Sequence, residues 1–310
     1  MSTSVISELL SSMIRIATPL ILMALGGLLC QRAGVFNIAL EGFALIGAFS
    51  AIAVVEVVGG NVWIGMLGAI TFGILYSCIF ALFVTKFKAN HIIVSIAMNM
   101  LALGATSYLL RAMFDVQGRL APSNINKLNM IHIPILRNIP ILNCLSGQSI
   151  VTYFAIFMIV AVYIVLFKTR IGLNICAVGE SADAAQTAGV SPSVVRWQVV
   201  LFSGALSGLA GAYLSTVIVS QFSEDMVQGR GFTAFTALVF GGAQPIWTAL
   251  VTLLFGLADA VGIRIELVGM NISPSIIKMF PFLLAILALA ISSYTGKLKM
   301  KGIIGKKRKG

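Results

Sequence analysis

Charge is scarce in this chain. Its 310 residues hold 21 Lys and Arg, 10 Asp and Glu and 2 His, against a hydrophobic share of 59%. Soluble domains carry charge on roughly a quarter of their residues, so a pair of soluble domains is excluded despite sufficient length. Cysteine is also sparse. Cys30, Cys78, Cys144 and Cys176 form no CxxC pair, and His91 and His132 stand far apart, so no metal site is expected. A phosphate-binding GxxxxGK[ST] is missing too: "GIIGKK" at 302–307 has the wrong glycine spacing and no helix after it. Met1 to Leu10 has Glu8 and no basic residue, which argues against a cleavable signal.

What the chain does have is long apolar runs. They lie at 14–30, 38–58, 62–85, 92–110, 150–167, 197–219, 232–242, 246–263 and 276–293. Most approach the ~20 residues a helix needs to cross ~30 Å of hydrocarbon. The composition therefore predicts an all-α polytopic membrane protein with about nine crossings (eight to ten), some of them broken. The run 232–242 is short for a full crossing and is followed by "GGAQP", the pattern of a broken or re-entrant segment. In "SGALSGLAGAYLS" (203–215), Gly204, Gly208 and Gly211 are spaced to let another backbone approach.

The net charge of +11 is concentrated in the tail, at Lys297, Lys299, Lys301, Lys306, Lys307, Arg308 and Lys309. After a membrane helix this reads as a cytoplasmic topology signal, with anionic lipid as a compatible contact, rather than as a nucleic-acid surface. The expected organisation is one membrane domain over 1–296 and a basic cytoplasmic tail over 297–310. Alternation backwards from the tail places 168–196 in the cytoplasm and 111–149 outside. Lys86, Lys88, Lys168, Arg170 and Arg196 agree with those sides, whereas Arg111, Arg119, Lys127 and Arg137 in the 111–149 loop do not; long loops determine topology weakly.

The cytoplasmic loop contains "VGESADAAQTAGVSP" (178–192). Ser181 is a good N-cap, Asp183 suits the first turn, Ala182 to Ala188 favour helix, and Gly189 is placed to end it. Ser191 and Pro192 then open the next helix. A helix of about two turns is marginal alone. Asp183, Gln186 and Thr187 share one face, and Ala182, Ala185 and Gly189 another. Two readings stay open: a capped connector between spans, or an element whose smooth alanine face docks a cytoplasmic partner.

Here the sequence resembles a known family. "IGLNICAVGESADAAQTAGVSPSVVRWQVVLFSGALSGLAGAYLS" (171–215) is similar to the coupling loop and following helix of ABC-importer permeases for simple sugars, nucleosides and branched-chain amino acids. Glu180, Ala184, Ala185 and Gly189 stand at its signature positions. "GLLCQRAGVFNIALEGFALIGAFSA" (27–51) resembles the nucleoside and simple-sugar subgroup through Gly34, Asn37, Glu41, Gly42 and Gly47, and "GRGFTAFTALVFGGAQPIWTAL" (229–250) is a third match. Gln31, Ala33 and Ala39 depart from it, standing where an acid, a serine and a glycine are usual.

The resemblance implies a short cytoplasmic coupling helix, with Glu180, Ala182, Asp183, Ala185 and Gly189 receiving a separate ATPase. ATP and Mg would be held by that partner, with no cofactor on this chain. It further implies a second permease subunit, identical or paralogous, and an extracytoplasmic binding protein delivering to loops 111–149 and 220–231. The expected location is a bacterial cell membrane, the expected direction import, and the expected cargo a nucleoside before a simple sugar or branched-chain amino acid.

Polar groups inside spans are functional suspects. Asn37, Glu41, Ser95, Asn99 and Asp259 are the candidates for the translocation pathway. For Glu41 the alternative is a tie between two helices, and for Asn99, with Ser95 one turn before it, interhelical glue. Asp259 needs a partner from another helix or from water. An ion-coupled secondary transporter is the competing class; Asp259 is its best coupling carboxylate, and it has no need of a docking helix.

Overall fold

The computed structural model describes residues 3–122, 124–126, 128, 130–131, 146–267 and 279. The apolar run 276–293 apart from residue 279, the basic tail 297–310 and much of the 111–149 loop lie outside these residues.

Among the described residues there are ten α-helices: α1 Thr3–Arg32, α2 Leu40–Val57, α3 Val62–Ala81, α4 His91–Phe114, α5 Ile150–Lys168, α6 Arg170–Glu180, α7 Ala182–Thr187, α8 Pro192–Ala212, α9 Arg230–Phe240 and α10 Pro245–Leu267. Two of them are prolonged by π-helical turns, Leu82–Lys86 after α3 and Tyr213–Ile218 after α8. Short polar side chains start the helices where apolar runs begin. Asn61 accepts from the N–H of Trp63, Asn90 from Ile92 and Ile93, and Ser149 from Thr152. Pro192 and Pro245 open α8 and α10, where a missing N–H costs nothing.

Seven helices among the described residues are long and apolar enough to cross a membrane. The expected crossing at 232–242 is not one of them. It is the eleven-residue α9, about 16 Å long at the standard rise and so half of the hydrocarbon thickness. The chain before it, from Val219 to Gly229, is not helical.

The helices sort into an inner and an outer set. In α1, α2 and α8, 72–78% of the spanning window is buried within the chain, but in α3, α4 and α5 only 22–33%. The outer three present Leu67, Leu75, Ile93, Met100, Phe157 and Val160 outward, the apolar surface a lipid-facing helix needs.

α8 is the hub, packed on α1, α2 and α3. Its glycines allow this, as their spacing predicts: a side chain on Gly204 would strike Ser77 and the Gly73 carbonyl, on Gly208 the Ala69 carbonyl, and on Gly211 the Ala44 carbonyl. α10 lies antiparallel to α1. Arg264 pairs with Glu8 at 3.3 Å near one end, and the Arg32 guanidinium donates to the Ala243 carbonyl at 2.7 Å near the other.

Candidate functional site

Two broken crossings meet inside the bundle. The first is the non-helical stretch between α1 and α2. Here Asn37, buried at 1% exposure, donates to Ser203 Oγ on α8 at 3.1 Å, and its own Oδ1 accepts the Ala39 N–H at 3.0 Å. Along the other side of the stretch runs α4. His91 Nδ1 accepts the Phe36 N–H at 3.3 Å, Ser95 Oγ accepts the Ile38 N–H at 3.1 Å, and Asn99 both accepts the Gly42 N–H at 2.8 Å and donates to the Ile38 carbonyl at 3.1 Å. These three side chains are four residues apart, so one face of α4 presents them as a ladder. Each satisfies backbone that the break frees from helical pairing, which hydrocarbon cannot do.

The second broken crossing is the segment before α9. It leaves the top of α8, pairs Leu120 with Phe222 and Arg119 with Ser223 in a two-residue antiparallel ladder, and then descends along α2. Phe222 stacks edge-on against Phe49 in the middle of α2 at 5.3 Å, and seven residues later the chain meets the start of α2. At that point Glu41 Oε1 accepts the Gly229 N–H at 2.7 Å and Oε2 the Gly231 N–H at 2.6 Å. A carboxyl group from one helix thus caps another, holding N–H groups that lack an intrahelical partner. Gly229 is in the left-handed region at φ +79, and a side chain on Gly231 would collide with the Glu41 backbone. The expectation that 220–231 is an outer loop is therefore corrected. Among the described residues, Phe222, Ser223 and Glu224 meet the 111–149 segment, and the chain then runs down to Glu41.

Asn37, Glu41, Ser95 and Asn99 are thus brought to one junction. Asp259 is not with them: it lies on α10, which packs on α1, α5 and α9.

The loop at 168–196 contains two helices where the sequence indicates one. α6 is capped by Thr169 Oγ1, which accepts the Gly172 N–H at 3.3 Å, and it tucks beneath α1, where Gly179 lies against the Arg32 carbonyl. α7 is capped by Ser181, whose Oγ accepts the Ala184 N–H at 3.3 Å, and it ends at Thr187 with Ala188 as C-cap, followed by Gly189 with φ +84. Ser191 stands at the N-cap of α8 but makes no side-chain cap bond. The alanine face is also not the one offered outward. Ala185 is 3% exposed, packed inside the chain, and Ala182 is half-buried, whereas Glu180, Asp183, Ala184, Gln186, Thr187, Ala188 and Gly189 are exposed. A six-residue helix is marginal alone, and α7 packs against its neighbours α6 and α8, so one side is spent on them.

A family model described as the permease component of branched-chain amino acid transport systems matches residues 9–289. The chain belongs to this permease family. It is 32% identical over 293 residues to the nucleoside ABC transporter permease protein NupC of Lactococcus lactis, covering 91% of each chain. It is 36% identical over 284 residues to the guanosine ABC transporter permease protein NupQ of Bacillus subtilis, covering 88% of each. A putative glucose ABC transporter permease of Haloferax volcanii is 29% identical over 279 residues, covering 86% of this chain and 80% of that one. The resemblance read from residues 27–51, 171–215 and 229–250 is borne out. The permease is a multi-pass membrane subunit of an ABC transporter, and ATP hydrolysis belongs to a separate subunit.

Sequence reasoning missed two features of the permease. His91 belongs to the α4 ladder, and its signal was available as "HIIVSIAMN", with His, Ser and Asn at every fourth position. Near the other end of the bundle, the hydroxyls of Thr18, Thr152 and Tyr213 form a buried chain, 3.2 Å and 3.4 Å apart, that ties α1 to α5 and the second π-helical turn. Its members sit in three separate apolar runs, with no local pattern to join them.

Proposed function

We propose that this permease imports nucleosides through a pathway it forms with a second permease subunit. An ATPase docks on the exposed side of α7, and an extracytoplasmic binding protein delivers cargo at the opposite end. The observation that carries the reading is the pair formed by the junction and α7. Polar and non-helical backbone inside the bundle marks where cargo passes, and a capped short helix outside it provides a contact point for a driving subunit. The nucleoside preference rests on the likeness to NupC and NupQ, with sugars next because of the glucose transporter relative.

The sides follow from charge. Arg32, Lys86, Lys88, Lys168, Arg170 and Arg196 gather at the end that carries α6 and α7. A cytoplasmic assignment of that end agrees with the basic bias of cytoplasmic segments, and alternation then puts the C-terminus inside and the N-terminus outside. We count the descending segment with α9 as an eighth crossing, and the sequence expects a ninth at 276–293.

Docking is tested by cross-linking. In the complex assembled with its ATPase, cysteines introduced by Asp183→Cys and Gln186→Cys are expected to cross-link to the ATPase, and one introduced by Phe157→Cys on the lipid-facing side of α5 is not. Cross-linking from neither α7 position would leave α7 a connector and remove the docking reading.

A further inference from the structure

One outward face of the permease does not suit lipid. The chain from Phe222 to Gly229 runs along the first half of α2, a helix long and apolar enough to span, without helical pairing, and Asp225, Gln228 and Gly229 on it are exposed. Hydrocarbon cannot satisfy such backbone, so this side faces water or protein. The side-chain chemistry changes at the same place. Where the outer helices present Leu, Ile, Met and Phe, this face adds Gln228, Thr233 and Thr236 to its aromatics.

Three aromatic rings close the face. Phe36, from the broken stretch before α2, is 47% exposed, and Phe232 on α9 is 59% exposed. Each lies with its ring centroid 6.5 Å from that of Phe235, so the three form a continuous surface joining both broken crossings. The hydroxyls of Thr233 and Thr236 donate back to the Gly229 and Phe232 carbonyls at 3.1 Å and 2.9 Å. Their oxygens keep lone pairs free to accept from a ligand's hydroxyl groups. Gln228 has an amide that both donates and accepts. These six side chains are uncharged, with Asp225 an exposed carboxylate on the same stretch; together they fit a ligand with one flat aromatic part and one hydroxylated part.

We propose that Phe36, Phe232, Phe235, Gln228, Thr233 and Thr236 form the wall of the translocation pathway on which a nucleoside passes, its base against the phenylalanine rings and its sugar beside the threonines. The inference rests on the nucleoside reading above and adds the residues that meet the cargo. Aromatic stacking is sequence-tolerant because every base has a π-face, so the wall serves purine and pyrimidine nucleosides alike. Glu41 acts here as a positioning residue: it fixes the start of α9, and with it the direction in which Phe232 and Phe235 face.

The test uses the complete transporter in membrane vesicles, in a background where Cys30, Cys78, Cys144 and Cys176 are replaced by alanine or serine. A water-soluble thiol reagent is expected to label the side chain introduced by Phe232→Cys, and excess guanosine to slow that labelling several-fold. The thiol introduced by Phe157→Cys, on the lipid-facing side of α5, is expected to stay unlabelled. In uptake assays, Phe232→Ala with Phe235→Ala is expected to lower the guanosine rate roughly ten-fold, the scale of losing a stacked base, and Phe232→Tyr to keep it.

Labelling that guanosine does not slow, in a complex that still imports guanosine, overturns the wall alone. Absence of labelling together with cross-linking of position 232 to the second permease subunit makes this face a subunit interface and also overturns it. A wild-type complex that imports ribose or leucine but no guanosine overturns the nucleoside reading itself, and base stacking with it.

Discussion

The carboxyl group of Glu41 on α2 accepts the backbone N–H of Gly231 on α9 at 2.6 Å, 190 residues away in sequence. This bond, with its companion to Gly229, joins the starts of two helices that each begin inside the bundle after a non-helical stretch. Glu41→Ala removes the acceptor from both N–H groups; the part-buried Gly231 N–H costs about 1–3 kcal/mol when left unpaired, and the exposed Gly229 N–H, which water can serve, costs less. The thermal midpoint of the purified permease is expected to fall by several degrees, at about 2–4 °C per kcal/mol for a chain of this size. Glu41→Gln keeps one acceptor oxygen and is expected to fall in between. A Glu41→Ala midpoint equal to the wild type would mean that the cap contributes nothing.

The α4 ladder ranks its own members. Asn99→Leu keeps approximate volume but leaves the Gly42 N–H and the Ile38 carbonyl unmatched, whereas Ser95→Ala strands only the Ile38 N–H. Asn99→Leu is expected to cost the more, by roughly 1–3 kcal/mol, in denaturation of the purified protein. The reverse order would show that water or other groups already serve Gly42.

Glycine substitutions divide by what a side chain would meet. Gly211→Leu drives carbon into the Ala44 and Ala48 backbone, but Gly104 on α4 has open space around it. The first variant is expected to abolish accumulation of folded protein, and Gly104→Leu to leave it near the wild-type amount, judged by monodisperse elution in detergent. Equal yields would contradict the packing of α2 against α8.

α7 offers a prediction that separates strain from docking. Gly189 has φ +84 and nothing within 4 Å of an added side chain. Gly189→Ala is strained by about 1 kcal/mol in this backbone region but adds little bulk, and is expected to keep most transport. Gly189→Trp carries similar strain and is expected to lose ATP-coupled transport while folding normally. Loss of stability in both variants to the same degree as loss of transport would assign the residue to folding alone.

Much of this was legible in the residues, for physical reasons. Hydrocarbon imposes long apolar runs, so the long helices stand out, and Gly204, Gly208 and Gly211 announce close packing by their spacing. The break before α2 was visible in "GVFNIALEG" because polar and small residues are costly there unless something freed must be satisfied. The cap that Glu41 places on α9 was not visible. Glu41 and Gly231 are joined only by tertiary folding, and nothing in "LEG" points to residue 231. The fate of 220–231 was misread for a related cause: a non-helical chain inside a membrane protein has the composition of an outer loop, since both expose backbone to polar surroundings. The orientation of α7 was misjudged because alanine suits its own protein's interior as readily as a partner's groove.

The central claim is that nucleoside passage through this permease is driven by an ATPase acting on α7. The most direct measurement is uptake of radiolabelled guanosine, ribose and leucine by the complex reconstituted with its ATPase and binding protein, for wild type and Gly189→Trp. The account predicts guanosine uptake that requires ATP and disappears in the tryptophan variant. Guanosine uptake that proceeds without the ATPase and is unchanged by the tryptophan would contradict it.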